Sequence, residues 1–397
     1  MAKINLQAFK DFTKSTYFGS FILFLCLVVS LTIANSPLAE GFEHVLKYQF
    51  GYESEMIHLK YSTEGWINDG LMAIFFLMVG LEIKRELLEG ELSSFKKAVL
   101  PILSAFGGAI VPAIIYACIN FGTDKIHGWG IPMATDIAFA LAVISMLGKI
   151  VPSSLKVFLA ALAIADDLFA ILVIAIFYST SLNWMNLGIG VAIVALLAIF
   201  NKVGIKNLWF YIIPGIFVWY FIHHSGIHAT IAGVMVAFTI PTNATDAASP
   251  LEKLEHALAN PVNFFIIPLF ALINTNITYE TGMLAGLHSK LGLGIILGLV
   301  IGKVAGILLT CLICTKLKFA TLPTFANWWH MVGVGLLGGI GFTMSIFVSL
   351  LSFKNADFIN EAKFSILVAS LIAGVLGFNF LKRVSKKYPN PELTQEN

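Results

Sequence analysis

Residues 155–178 read LKVFLAALAIADDLFAILVIAIFY. The run is long enough to cross a bilayer, which takes about 20 mostly apolar residues. Yet Asp166 and Asp167 stand side by side about twelve residues into it. A charge at mid-bilayer costs at least about 3 kcal/mol. Two adjacent acids in a membrane helix need a use that offsets that cost. This stretch therefore decides both the class of fold and where function is to be sought.

The rest of the chain has the same character. Apolar residues make up 58% of the 397, charged residues 12%, and mean hydropathy is +0.85. A soluble domain carries about twice that share of charge. Further apolar runs give twelve candidate spans in all, near 17–35, 66–88, 98–120, 127–148, 155–178, 184–201, 206–223, 225–241, 260–276, 291–315, 328–352 and 364–381. The expectation is an all-α membrane protein of twelve transmembrane helices, one multi-pass domain over 1–397. The net charge of +2 argues against a nucleic-acid partner. Cys26, Cys118, Cys311 and Cys314 all lie in apolar runs, so no disulfide framework is expected. Cys311 and Cys314 form a CxxC with no second pair to complete a zinc site, and packed helix thiols are the simpler reading. No cofactor is implied. The first run follows Lys3, Lys10 and Lys14 and is long enough to span, so no cleavable signal is expected.

Loop charge sets the orientation, because Lys and Arg collect on the cytoplasmic side. With the N-terminus inside, 18 of the 25 Lys and Arg fall in cytoplasmic segments and 6 outside, with Lys303 left inside a span. Twelve spans with both termini cytoplasmic preserve that bias; an odd number spoils it. Between the first two spans, residues 42–62 alternate apolar and polar around Gly51, which suggests a small external β-hairpin. Residues 385–397 read as a solvated tail.

Three spans bring charge to one depth. Asp136 is about ten residues into the fourth span, Asp166 and Asp167 about twelve into the fifth, and Lys303 about twelve into the tenth. At about 1.5 Å per residue each lies near the midplane. A structural ion-pair network is the bland explanation, but three acids against one base leave negative charge for a cation to neutralise. Neighbouring residues on a helix point about 100° apart, so one aspartate can meet Lys303 while the other faces a site. Sodium prefers carboxylate, carbonyl and hydroxyl oxygens. A carboxyl removed from water holds a proton more readily. One group can thus carry either ion, and competition for it yields exchange.

Two spans are weakened at the centre. Gly128, Gly130 and Pro132 precede Ala134-Thr135-Asp136, and Gly333, Gly335, Gly338, Gly339 and Gly341 precede Thr343. Pro and Gly interrupt the helical ladder. These spans occupy corresponding positions in the triplets 3–5 and 10–12 and run in opposite senses, the pattern of inverted repeats with broken helices around a transport site. Where such ends face one another, Asp136 is placed to neutralise the positive ends and Lys303 the negative ones. Small residues also let helices pack closely, and Gly302-x-x-x-Gly306 and Gly335-x-x-x-Gly339 fit that use.

At the cytoplasmic mouth, Glu82, Glu86 and Glu89 form an acidic stripe at helical spacing. Glu255 and His256 sit at the start of the ninth span, where a histidine that titrates near neutrality makes a candidate pH-responsive patch. Solvated helix ends explain both equally well. His228 lies near the outer face, where a packed, satisfied histidine is the plainer reading.

At these residues the sequence resembles the NhaA-type sodium/proton antiporters over nearly its whole length. The signatures are Asn68-Asp69-Gly70 with Gly80-Leu81-Glu82-Ile83-Lys84-Arg85-Glu86, Ala134-Thr135-Asp136-Ile137-Ala138-Phe139, Ala165-Asp166-Asp167, Gly226-Ile227-His228-Ala229-Thr230, Leu254-Glu255-His256, Ile301-Gly302-Lys303, and Gly338-Gly339-Ile340-Gly341-Phe342-Thr343-Met344-Ser345. The resemblance implies a bacterial inner-membrane exchanger that moves two protons in for one sodium or lithium out. It implies that Asp167 is the principal ion-binding carboxylate and Asp166 the second acid, paired with Lys303. Thr135 and Asp136 would lie where broken helices cross. Glu82, Glu255 and His256 would form a cytoplasmic pH-sensing region, with His228 linked to the pH response. A homodimer formed partly through the external hairpin is also implied. One departure is the stretch Ala257-Leu258-Ala259-Asn260-Pro261, where the family often has a second histidine just before the proline, and Glu252 beside Lys253 also differs. The pH set-point is what these changes put in doubt.

Two rival functions remain open at this stage. An intramembrane aspartyl protease needs two carboxylates on separate helices sharing a water, which adjacent Asp166 and Asp167 fit poorly and Lys303 opposes. A sodium-coupled symporter of a small anion lacks a mid-membrane arginine to hold its substrate. A cation channel is weaker still, with no repeated filter signature.

Overall fold

Within a bilayer only a helix satisfies every backbone amide and carbonyl inside its own segment, and the apolar runs fold accordingly. The computed structural model describes residues 16–55, 58–179, 181–242, 249–279 and 282–391. Lys3, Lys10, Lys14, Met56, Ile57 and the tail beyond 391 lie outside the described residues.

Helix α1 (Thr16–Ala34) turns through 111° into a short α2 (Ala39–Lys47). A two-stranded antiparallel hairpin follows, β1 (Gln49–Glu53) on β2 (His58–Ser62). The helices after it are α3 (Thr63–Leu88), α4 (Phe95–Ile119), α5 (Asp124–Met133, a 3₁₀ helix), α6 (Ile137–Ser145), α7 (Ser153–Phe177) and α8 (Trp184–Val203). Then come α9 (Trp209–His223), α10 (Thr230–Thr239), α11 (Pro250–Asn274), α12 (Lys290–Lys316), α13 (Trp328–Gly338), α14 (Phe342–Ser352) and α15 (Ala356–Lys387). Among the described residues, seven helices are long and apolar enough to cross a membrane, or ten if each of three bent pairs counts as one crossing; α9 and α10 are shorter apolar helices.

Three boundaries differ from the sequence reading. The hairpin is confined to 49–62, because residues 42–47 belong to α2, where Lys47 pairs with Glu43 one turn away at 2.5 Å. Gly51 is not the turn: it sits within β1 opposite Lys60, at φ +127, a backbone angle that favours glycine. The span expected from 260 starts ten residues earlier, at Pro250. Ser249 and Glu252 form a reciprocal capping box and Pro250 takes the first turn, so the helix begins at a polar signal that a hydropathy count passes over. Pro261 therefore lies inside α11, and a π-turn over Val262–Ile266 follows it. At the C-terminal end α15 runs on to Lys387, and the amide of Asn390 donates to the carbonyl of Lys149 at 3.1 Å, so the start of the expected solvated tail is helical and docked.

The pairs of helices that position the site meet at glycines. A methyl group on Gly306 of α12 would overlap the carbonyl of Gly107 on α4, and Gly302 packs on Pro112. Gly335 of α13 packs on Val304, and Gly339, just beyond it, on the carbonyl of Leu299. Helices α8, α9 and α10 build a separate cluster around Leu197, Tyr211 and Ile222, joined to α3 through Leu81 and to α11 through Leu251 and Leu254.

Candidate functional site

Helices α5 and α6 bend by 41° across Ala134-Thr135-Asp136, and α13 and α14 by 48° across Gly339-Ile340-Gly341. The two breaks touch. The amide of Asp136 donates to the carbonyl of Ile340 at 2.6 Å, the Thr135 hydroxyl to the carbonyl of Gly338 at 2.7 Å, and the Ser345 hydroxyl to the carbonyl of Ile131 at 2.8 Å. Ile131, before the first break, meets Ser345, beyond the second, while Thr135 and Asp136 meet Gly338 and Ile340, so the two breaks lie directly against each other. Breaking a helix inside a membrane frees backbone groups that must find partners, and these contacts supply them.

Asp136 serves two helix starts at once. Its Oδ1 accepts the amide of Phe139 at 3.0 Å, capping α6. Its Oδ2 accepts the amide of Thr343 at 3.1 Å and the Thr343 hydroxyl at 2.5 Å, at the first turn of α14. A carboxylate between two helix N-termini meets the positive ends of both dipoles. The amide of Phe342 donates to the Ser370 hydroxyl at 3.1 Å, which brings α15 into the crossing. The sequence reading sets Lys303 against the two negative ends. Its hydrogen bond goes elsewhere, and the Thr135 hydroxyl takes the Gly338 carbonyl instead.

Lys303 donates to Oδ2 of Asp166 at 2.6 Å, with the lysine 0% and the aspartate 1% exposed. A π-turn over Gly298–Gly302 immediately precedes Lys303 in α12, and such turns often mark functional positions. Asp167 is equally buried, and its Oδ1 has no hydrogen-bond partner in the protein. Its electrostatic neighbours are Asp166, Glu82, Asp136 and Lys303. One acid of the adjacent pair is thus held through its Oδ2 by the lysine, its own Oδ1 also lacking a hydrogen-bond partner, while the other has no ion-pair partner among the described residues and sits among charges that sum to negative.

Near the crossing Glu82 is half-buried at one wall of a cavity of about 220 Å³, with Ser20, Ile137, Ala138 and Asn263 on the others. Ile137 and Ala138 directly follow Asp136, so this cavity reaches the crossing. Glu255 on α11 is bound to α3: Arg85 Nε donates to both its oxygens, at 3.0 and 3.2 Å, while Arg85 also pairs with Glu86 at 3.0 Å. Glu82 is close enough to interact electrostatically with both Glu255 and Asp167. His256 is exposed on the surface of α11. Glu89 accepts the Thr242 hydroxyl. Cys311 and Cys314 are buried free thiols of α12, with Cys311 3.1 Å from the Ser104 hydroxyl.

At the other end His228 Nε2 lies 3.4 Å from Oδ1 of Asp69, and its Nδ1 is 2.9 Å from the Thr230 hydroxyl. The His228 ring stands edge-on to Phe347, which also contacts Phe76 and Phe270. Sequence reasoning quoted Asp69 within a motif but gave it no role. The Arg85–Glu255 bridge, Ser370 and the aromatic cluster at Phe347 were also missed. Only the bridge had a signal, a basic and an acidic residue in a chain with few of either.

Broken helices crossing at a shared carboxylate, beside a buried lysine and two further acids, define an ion-handling membrane transporter rather than an enzyme. The chain belongs to the Na+/H+ antiporter 1 family, whose model matches residues 10–381. It is 58% identical to the Na(+)/H(+) antiporter NhaA 2 of Flavobacterium johnsoniae, over 97% of this chain and 95% of that protein. It is 50% identical to the NhaA antiporter of Flavobacterium psychrophilum (95% and 96% covered) and 44% to that of Helicobacter pylori (95% and 96%). The fold is similar to the solved sodium proton antiporter MjNhaP1 from Methanocaldococcus jannaschii, at TM-score 0.52 and 13% identity, covering 96% of this chain and 99% of that one. These relatives and the spanning helices make it a bacterial membrane protein.

Proposed function

We propose that the protein is an electrogenic, pH-regulated antiporter that extrudes sodium or lithium in exchange for external protons. The observation that carries this reading is Asp167, buried at 2% exposure with one oxygen unpartnered, next to an Asp166 already bound by Lys303. Asp167 is the group over which sodium and a proton compete. Sodium there adds positive charge beside the Lys303–Asp166 pair and favours release of a proton from that pair, which titrates as one unit. More than one proton per sodium then moves, and the exchange carries net charge.

The crossing is the element that moves. Asp136, Thr135, Gly338, Gly339, Gly341 and Thr343 hold the two half-helix pairs as one body beside the aspartates. On this reading the seven long helices, three bent pairs and two short apolar helices make twelve crossings in one domain over 1–397, with triplets 3–5 and 10–12 as inverted repeats. The excess of Lys and Arg on alternate loops supports both termini lying in the cytoplasm, and the reading puts the protein in the inner membrane. Glu82, Glu255 and His256 form the cytoplasmic pH-responsive region and His228 an outer one. A homodimer joined partly by the β1–β2 hairpin is part of the same reading.

The test is fluorescence dequenching in proteoliposomes, scanning sodium, lithium and potassium against pH. Sodium and lithium, but not potassium, collapse an imposed pH gradient. Exchange only in the presence of an organic anion would favour a symporter; peptide cleavage without exchange would favour a protease.

A further inference from the structure

We infer that Asp69 is the outer proton-loading group of this exchange route, with His228 as its positioning partner; the inference rests on the antiport reading and its orientation. Asp69 lies about 9 Å along α3 from Thr63, at about 1.5 Å per residue, inside a π-turn over Trp66–Leu71. The turn frees its carbonyl, which accepts the indole N–H of Trp219 at 3.0 Å. Its side chain meets His228 at 3.4 Å, and the two are 27% and 16% exposed, against 2% for Asp167. Asp69 is therefore more accessible than the midplane acids.

The pair also adjoins the moving part. Asp69 and His228 are carried by α3 and the approach to α10, but the His228 ring abuts Phe347 on α14. Phe347 is one turn beyond Thr343, the partner of Asp136. Phe347 packs among His228, Phe76 and Phe270, and on this inference it separates the outer acid from the crossing. A proton taken up at Asp69 waits behind this aromatic plug until α14 shifts. The other titratable groups facing the pair are Tyr61 of β2, whose hydroxyl burial and then Asp69 push up to about 12, and His223 of α9, which faces His228. His224 packs on His223 and on Tyr220. Asn68 and Asn274 beside them bond to each other at 2.7 and 3.3 Å.

The experiment uses full-length protein in proteoliposomes of known orientation, with pH varied on the outer side while inner pH and sodium are fixed. Asp69→Asn is expected to weaken apparent affinity for outer protons at least threefold, leaving half-saturation by inner sodium and the melting temperature unchanged. Asp69→Glu restores it. His228→Gln weakens it in the same direction, and the double variant goes no further than Asp69→Asn alone. An unchanged outer-proton affinity in Asp69→Asn, or an equal loss on the inner sodium side, overturns the assignment. Absence of sodium-driven proton exchange in the unmodified protein would instead sink the antiport reading itself.

Discussion

Thr343 donates both its amide and its hydroxyl to Oδ2 of Asp136, at 3.1 and 2.5 Å, and so ties the start of α14 to the cap of α6. The two residues are 207 positions apart. The bond makes four half-helices one mechanical unit, and removing it tests whether that unit matters. Thr343→Val keeps the shape and the amide bond but loses the hydroxyl, at a cost of about 2 kcal/mol for a bond to a charged group. The expected result is a lower melting temperature with sodium selectivity retained. Asp136→Asn, which weakens both caps, should cost more. If Thr343→Val melts as the unmodified protein does, the crossing is not held by this contact.

Lys303 and Asp166 are the only closely paired ions at the midplane among the described residues. Lys303→Ala leaves a buried acid alone and should destabilise by about 3 kcal/mol or more. Lys303→Arg keeps a fixed charge that does not deprotonate. It should fold but lose the normal voltage dependence and pH profile of transport. An arginine variant that transports with both unchanged would remove lysine from the proton cycle and put the second proton on Asp166.

Glu255 is bound by Arg85, away from the Lys303–Asp166 pair, and on the proposed function it acts through that arginine. Glu255→Gln and Arg85→Gln should therefore shift the pH profile of exchange in the same direction, and the double variant no further. Half-saturation by sodium at saturating pH should stay within about twofold, because water and salt screen charge over about 8 Å. His256, exposed beside them, should give a smaller shift. Unaltered profiles in all three would end the pH-sensing reading, with the departure before Pro261 as the first place to look.

If more than one proton moves per sodium, an imposed potential contributes about 2.3 kcal/mol per net charge per 100 mV. Transport in proteoliposomes should quicken with the inside negative, and sodium jumps should give a transient current on a solid-supported membrane. A voltage-independent rate with no current contradicts the charge balance.

What the sequence made legible followed from the cost of polar groups in hydrocarbon. The weak centres near Pro132 and among Gly333–Gly341 stood out because a broken ladder inside a membrane is rare, and Asp136, Asp166, Asp167 and Lys303 stood out because each is costly there. The start of α11 was missed because its first turns are amphipathic, and hydropathy does not register a capping box at Ser249. The π-turns before Lys303 and around Asp69 add one residue to a helix without changing its composition, so no periodicity announces them. Which aspartate meets Lys303 depends on helix rotation, and adjacent acids leave that undecided. The Arg85–Glu255 and Asp69–His228 contacts join residues 170 and 159 positions apart through packing that a single sequence does not encode in any local pattern.

Competition at Asp167 is the central claim, and proton release on sodium binding measures it most directly. Purified protein in weakly buffered detergent solution is titrated with sodium while released protons are followed with a pH indicator. The account predicts at least one proton released per sodium bound, and apparent sodium affinity that weakens as pH falls, by about tenfold per pH unit for each proton displaced. Asp167→Asn, folded by its melting temperature, should release none. Sodium binding without proton release in the unmodified protein, or unchanged release in Asp167→Asn, would contradict it.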